Sequence, residues 1–432
     1  MQRVKPLQIL NNMIRNSIDY SRNKNTHIAA PTFFLVFYII RTSLVSLSAY
    51  RLFALPIIFS ISIIAMVMYY VKYSKGRIEK CYLYLVMFLI YVFFCKILVS
   101  NAEDQQYLSG YLKQLMMLLL AFGVYSYMSH AEMRDRIFLG RTYFVCTIIT
   151  AVYTCYVASV GPVGIIRNTA FGEYNNTFRF MYGGYDFIYT LVILYSILLI
   201  CFIKYKRILR LSIRIFLVIL LAFFAYTIII SGYSTAFVLI LGFTVWNIIS
   251  KKWLRISVLI VLLIILFGVP QIFTHTIDLF TFIPEMTAER IKDLILSLSG
   301  SSSVTYLSGE GERGQRILRS LRVFIEHPIL GGYIGNASEG VGAHSELVDT
   351  LGRFGLIAYS CFIAFWVDSY KRIINNCENN ETQRCVRSAI IMLIFLAIFD
   401  TVSLTNTIAP VFVFAPFCDE ILGICDTRNI IV

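Results

Sequence analysis

The chain has 432 residues, of which 58% are hydrophobic and only 15% charged, with a mean hydropathy of +0.72 and a formal net charge of +13. Soluble domains carry about a quarter charged residues, and long apolar stretches here recur from one end to the other, so both a soluble domain and a soluble domain with one anchor are excluded. The basic excess does not call for nucleic acid, because most Lys and Arg lie in short loops between apolar stretches, as membrane topology requires.

The first 30 residues hold Arg3, Lys5, Arg15, Arg22 and Lys24 without an apolar core, so they read as a cytoplasmic N-terminal segment and not a signal peptide. Twelve spans follow, at 31–49, 52–71, 81–99, 108–128, 142–161, 185–203, 212–231, 233–250, 254–273, 350–367, 388–404 and 407–422. Backbone groups in lipid must be satisfied within the segment, so the expected fold is an all-α polytopic membrane protein. The loops after even-numbered spans are basic: Lys72 to Lys80, Arg134 to Arg141, Lys204 to Arg210, Lys251–Lys252, and Lys371 to Arg387. Loop 100–107 on the other side carries Glu103 and Asp104. The positive-inside rule makes the basic side cytoplasmic, with both termini inside. Two substantial loops then face outward, 162–184 and 274–346.

The ten cysteines avoid both outward loops, so they read as small packing residues and free thiols and not as a disulfide framework. No CxxC motif or His/Cys cluster in the sequence points to a metal, and no cofactor motif of the GxGxxG or Walker A type occurs. The triplets Asn175-Asn176-Thr177 and Asn336-Ala337-Ser338 match the glycosylation pattern by coincidence.

Five charges fall in or at the edges of spans: Arg41, Lys96, Lys113, Asp186 and Asp400. A charge facing lipid at the centre costs about 2.5–3.5 kcal/mol on insertion scales. Two readings stand. Either they line a hydrated cavity opening outward, which suits Arg41 and Asp400 best, or they snorkel at the interface, which suits Lys96 and Lys113.

The long outer loop holds most of the polar chemistry. Residues 287–298 predict an amphipathic surface helix, 299–311 are Ser/Gly-rich, and 312–326 predict a second helix. At about 100° per residue, Ile317, Leu318, Leu321, Phe324 and Ile325 share one apolar face; Arg313 borders it, Arg316 lies just beyond, and Arg319 points away. Arg313 and Arg316 are thus expected to reach inward, while Arg319 stays solvated. The competing reading is a basic interfacial helix that only binds anionic lipid. Then come His327-Pro328, a glycine-broken run, and His344 at the expected start of another helix. A helix N-terminus disfavours imidazolium, which keeps that ring neutral and able to take a proton. Asp349 and Arg353, at i and i+4, are expected to form a helix-surface ion pair.

Arg313, His327-Pro328, Leu330-Gly331-Gly332-Tyr333-Ile334-Gly335, His344-Ser345, Leu351 and Phe354-Gly355-Leu356-Ile357 together resemble the signature of the O-antigen ligase and polymerase (Wzy-type) superfamily. The layout is similar too, with about twelve spans and two outward loops, the second larger. The family has a functional arginine in the first outer loop, where Arg179 and Arg167 stand here, and Arg179 matches its usual place better. A Ser-Arg pair usual at the outer start of span eight is replaced by Ser231-Gly232-Tyr233-Ser234-Thr235, and a tryptophan usual after the first loop arginine is missing.

The resemblance implies a GT-C-like fold and glycan transfer at the outer face of a bacterial inner membrane. The donor would be a glycan on undecaprenyl diphosphate. Arg313 and Arg179, with Arg316 and Arg167, would hold the diphosphate, since guanidinium groups give bidentate anion contacts and no Asp-x-Asp metal motif stands in the outer loops. His344 would act as base toward the acceptor hydroxyl or position it. No cofactor or metal is implied. The substrates would be lipid-linked glycan donor and acceptor in the bilayer, with a chain-length regulator and other polysaccharide-export proteins as candidate partners. Repeat-unit polymerase is the expected member, a ligase to lipid A-core the alternative. A lipid-linked glycan flippase or transporter is the alternative of another class, although repeated halves of the transporter kind are not visible.

Overall fold

The computed structural model describes residues 30–44, 55–69, 79–161, 166, 182–205, 209–249, 253–254, 257, 312–335, 337, 341–342, 345–377, 379–400 and 406–424. Among these residues every regular element is helical. In chain order the helices are α1 (Ala30–Ser43), α2 (Leu55–Tyr69), α3 (Lys80–Leu98), α4 (Ala102–Met128), α5 (Met133–Val160), α6 (Tyr185–Tyr205), α7 (Leu211–Ile230), α8 (Ser234–Ile248), α9 (Glu312–Glu326), α10 (Gly331–Ile334), α11 (Glu346–Asn376) and α12 (Asn380–Phe399). Seven of them, α3 to α7 with α11 and α12, are long and apolar enough to cross a membrane. This is an all-α membrane protein.

Helix α6 forms the axis. It is apolar all round, and its residues from Phe187 to Ile200 are buried in an unbroken run. A helix hydrophobic on every side belongs inside a bundle. Its neighbours α12, α7 and α8 pack around it, and each keeps an outward apolar stripe. On α3 the stripe includes Ile90, Phe93 and Ile97; on α5, Val145, Ile149 and Val152; on α7, Ile215 and Ile219. Exposed apolar surface of this extent identifies the face that meets lipid.

The bundle has two chemically different ends. At one end, where the basic loops begin, arginines on α5 and α11 form ion pairs. Arg136 grips Glu420 with two parallel hydrogen bonds of 3.0 and 2.8 Å, and Arg372 meets Glu79 at 2.5 Å. At the other end lie the C-terminal end of α12, the N-terminal ends of α4, α6 and α11, and the pair α9–α10. Tyr189 there donates to Asp400 Oδ2 (3.0 Å), and Tyr91 to the Leu330 carbonyl (2.6 Å).

Several sequence expectations shift. The segment expected as a twelfth span runs from Thr407, bonded to the Asp186 carbonyl, to Glu420, gripped by Arg136 at the basic end, but it is not a regular α-helix. Residues 406–421 wind through a 3-10 turn, a π turn and a second 3-10 turn into a short α turn, and Thr407 to Asp419 are all buried. The cause is Pro416, whose ring clashes with the carbonyl four residues back; the preceding turn widens, and Ala415 N–H reaches five residues back to Pro410. Helices α4 and α5 start at Ala102 and Met133, six and nine residues before the apolar runs from 108 and 142, so polar turns extend the rods beyond the apolar stretch. Nearly all of the expected ninth span, the surface helix at 287–298 and most of both outward loops lie outside the described residues.

Helix α11 breaks its path at Gly355 (φ 70°, ψ −179°), a backbone conformation essentially restricted to glycine. The break frees backbone groups that the chain before α10 then satisfies. Leu356 N–H donates to the Pro328 carbonyl (2.9 Å) and Ile357 N–H to that of Ile329 (3.4 Å). Gly331 (φ 75°) faces it, and a Cβ on either glycine would overlap the other strand of backbone. This seam fastens α9 and α10 to the start of a spanning helix. Gly355→Ala should therefore cost about 1–3 kcal/mol in backbone strain alone and lower the thermal midpoint of the detergent-purified protein. Gly110→Ala, where a side chain meets open space, should leave it unchanged or higher; equal midpoints for the two variants would remove the seam from the account.

Candidate functional site

The site is assembled from α9, the turn through α10, and the first turns of α11. Helix α9 docks by the stripe Arg316, Ser320, Val323 and His327, which recurs at three- and four-residue spacing. Ser320 and Val323 are buried and Arg316 is half-buried. This differs from the apolar face read from the sequence: Leu318 (64% exposed) and Ile325 (75%) point away from the protein. Hydrophobic periodicity finds the most apolar arc. Where lipid is one of the solvents, that arc need not be the one that packs on protein; small and polar residues make the interface instead. Glycines open the groove. A Cβ at Gly352 would sit 2.7 Å from the Ser320 carbonyl, one at Gly332 2.7 Å from Val323, and one at Gly342 would overlap the Arg316 carbonyl.

Inside the groove, Asp349 is the organising acceptor. It is 1% exposed. Its Oδ1 accepts from the Ser320 hydroxyl (2.6 Å) and its Oδ2 from the Ser345 amide (2.8 Å), while Ser320 Oγ accepts from Gly342 N–H (2.9 Å). Ser345 is the N-cap of α11 and accepts from Val348 N–H (3.3 Å). Glu346 N–H donates to the Asp400 carbonyl (3.1 Å), and Asp400 Oδ2 takes the Tyr189 hydroxyl. One network thus joins α9, α11, the end of α12 and the central α6.

The expected Asp349–Arg353 surface pair is replaced. Both residues are buried, and Arg353 instead donates to the Tyr107 hydroxyl, its guanidinium carbon 4.2 Å from that ring's centroid. The reason is the docking of α9 over this face, which converts a helix surface into an interior where Asp349 finds better donors. Beneath Arg353, Phe354 gathers Tyr111, Tyr333 and Phe88 at 5.3–5.4 Å between ring centroids, an aromatic floor at the end of the bundle.

The sequence-derived residues fall as follows. Arg316 lies on the docked stripe of α9. Arg313 is in the first turn of that helix. Arg319 is exposed. Arg179, Arg167 and His344 lie outside the described residues, although the chain bonds His344 to the buried Ser345. Asp400 closes α12 and joins the network. Arg41 stands half-buried in the last turn of α1. Lys113 is exposed, opposite the buried Leu108, Tyr111 and Leu115, an outward-facing position and not an interior one.

Sequence reasoning passed over Ser320, the Tyr107–Arg353 pair and the Tyr189–Asp400 link. Each joins positions far apart in the chain, and no local spacing signals them. Asp349→Ala should leave the Ser345 amide without its acceptor, at about 1–3 kcal/mol, while the Ser320 hydroxyl keeps only the Arg316 carbonyl (3.2 Å) and no longer ties α9 to α11. Amide hydrogen exchange should accelerate at Gly342, Ser345 and Val348 while α6 stays protected; unchanged exchange there would show that Asp349 does not hold the groove. No protein-family model, curated protein or solved structure matches the chain.

Proposed function

We propose that this chain is an integral-membrane glycosyltransferase of GT-C-like architecture that polymerises undecaprenyl-diphosphate-linked oligosaccharide repeat units into O-antigen or a related surface polysaccharide. The observation that carries the reading is the single hydrogen-bonded assembly of the arginine-bearing α9, the glycine turn and the first turns of α11. It lies at the bundle end opposite the basic loops. With those loops cytoplasmic, the assembly faces the periplasm, where a lipid-linked donor presents its diphosphate at headgroup depth.

The chemistry follows from the residue types. The acceptor sugar hydroxyl attacks the anomeric carbon of the donor glycan. The bond from that carbon to the diphosphate oxygen breaks, and the hydroxyl proton passes to the neutral His344 imidazole. Arg313 and Arg316, joined by Arg179 and Arg167 from the first outer loop, neutralise the charge growing on the departing lipid diphosphate, where bidentate guanidinium contacts are strongest. Ser320 and Asp349 do not touch substrate in this scheme; they hold the α9 stripe against residues 342–349.

The test is genetic and chemical together. In membranes with the variant present at wild-type level, Arg313→Ala and His344→Ala should each cut polymer yield about 10²-fold or more, the usual contribution of a positioned base or charge. Arg319→Ala, on the exposed side, should retain it. A polymerase defect leaves single repeat units on the lipid A-core; bare core with polymer retained on the carrier would instead assign the chain as a ligase. Wild-type polymer from both Arg313→Ala and His344→Ala would overturn the proposal.

A further inference from the structure

A different cluster stands at the basic end of the bundle, remote from α9. Cys201 on α6, Cys385 on α12 and Cys418 at the end of the wound segment come from three elements, and all are fully buried. Their sulfurs lie 3.5 Å (Cys201 to Cys385) and 3.8 Å (Cys201 to Cys418) apart, and all three fall within 4.8 Å of one another. Among the described residues this is the one group of three or more His, Cys, Asp or Glu side chains so close together. Cysteine packs readily as a small apolar residue, which accounts for each one singly. It does not account for three sulfurs from distant parts of the chain meeting at one point.

The geometry matches coordination. A Zn–S bond of about 2.3 Å in a tetrahedral site sets neighbouring sulfurs about 3.8 Å apart. A supporting carboxylate adjoins. Asp419, next in the chain to Cys418 and 5% exposed, has Oδ2 held by Asn379 Nδ2 (2.6 Å) and Thr382 Oγ1 (3.0 Å). Asn379, Thr382 and Asp419 also line a polar cavity of about 90 Å³, shared with Arg136 and Glu420. That volume admits several waters at about 10–15 Å³ each, and the Asp419 that lines it follows Cys418 in the chain.

We propose that Cys201, Cys385 and Cys418 form a binding site for a soft, thiophilic d10 cation. On binding, each S–H bond breaks as an S–metal bond forms, and the proton is released to solvent. Three thiolates with Zn2+ sum to −1 and with Cu+ to −2, so burial favours the divalent ion. A water would supply the fourth position that zinc takes. The ion would clamp α6, α12 and the segment before Glu420 together.

The experiment uses the full-length protein in detergent, stripped with chelator and titrated separately with Zn2+, with Co2+ as its spectroscopic substitute, and with Cu+ under reducing conditions. One equivalent of Zn2+ should be retained, and Co2+ should give sulfur-to-cobalt charge-transfer absorption. Cys201→Ser, Cys385→Ser and Cys418→Ser should each weaken retention at least tenfold, whereas Cys361→Ser should not. One equivalent of Cu+ held in preference to Zn2+ supports the site and changes the ion. Should the serine variants fail to fold, X-ray absorption of the zinc-loaded wild type decides, with three sulfur neighbours expected. Retention of neither ion, or a metal with no sulfur neighbours, would overturn the proposal.

Discussion

Two glycines in contact govern this molecule. Gly331 and Gly355 each lie where a Cβ would strike the other's backbone, and each adopts a positive φ. Their approach lets the chain at 328–329 accept the two amide hydrogens that the break in α11 releases. A helix entering lipid cannot leave backbone donors unmet, so the break is tolerable only because this turn fills it. In consequence α9 is not a loose appendage. It is fixed in register with α11, and the distances among Ser320, Gly342, Ser345 and Asp349 follow from that register.

The interior supports the arrangement from below. Helix α6 is encircled, and the wound segment 406–421 lies buried beside it where a regular helix would otherwise stand. Pro416, which widens this segment, also shapes its course between α4, α5 and α12. Both ends of the bundle therefore connect through one core: Tyr189 reaches Asp400 at one end, and Cys201 reaches Cys385 and Cys418 at the other.

Much of this was legible in the residues. Apolar run lengths mark α3, α6, α7 and α8 almost to the residue, because lipid leaves a segment little choice but helix. The polar stretch 311–355 stands out by contrast with everything around it. What the pattern hides is direction. Moment analysis selects Leu318 and Ile325 as the packing face of α9, yet Arg316, Ser320 and Val323 pack, since protein and lipid compete for the apolar side. The pairing of Asp349 went astray for a related reason: an i, i+4 rule describes a helix surface, and this surface is covered. The convergence of three cysteines 184 and 217 residues apart lies beyond any local rule.

The outward side of α9 has its own significance. Leu318, Ile325, Ile329 and Leu330 are exposed, and Leu356 and Ile357 follow just past the break in α11. These six side chains mark a waterline. A helix with that arc immersed and Arg319 above it floats at one depth in the bilayer surface. Its depth is set by α11, which the glycine seam holds at a fixed height. Arg316, carried on the same rod, consequently keeps a constant elevation over the hydrocarbon. In the transfer proposed above, a carrier lipid diffusing laterally would meet that side chain without leaving its leaflet, and thickness of the membrane, more than concentration in water, would tune the encounter.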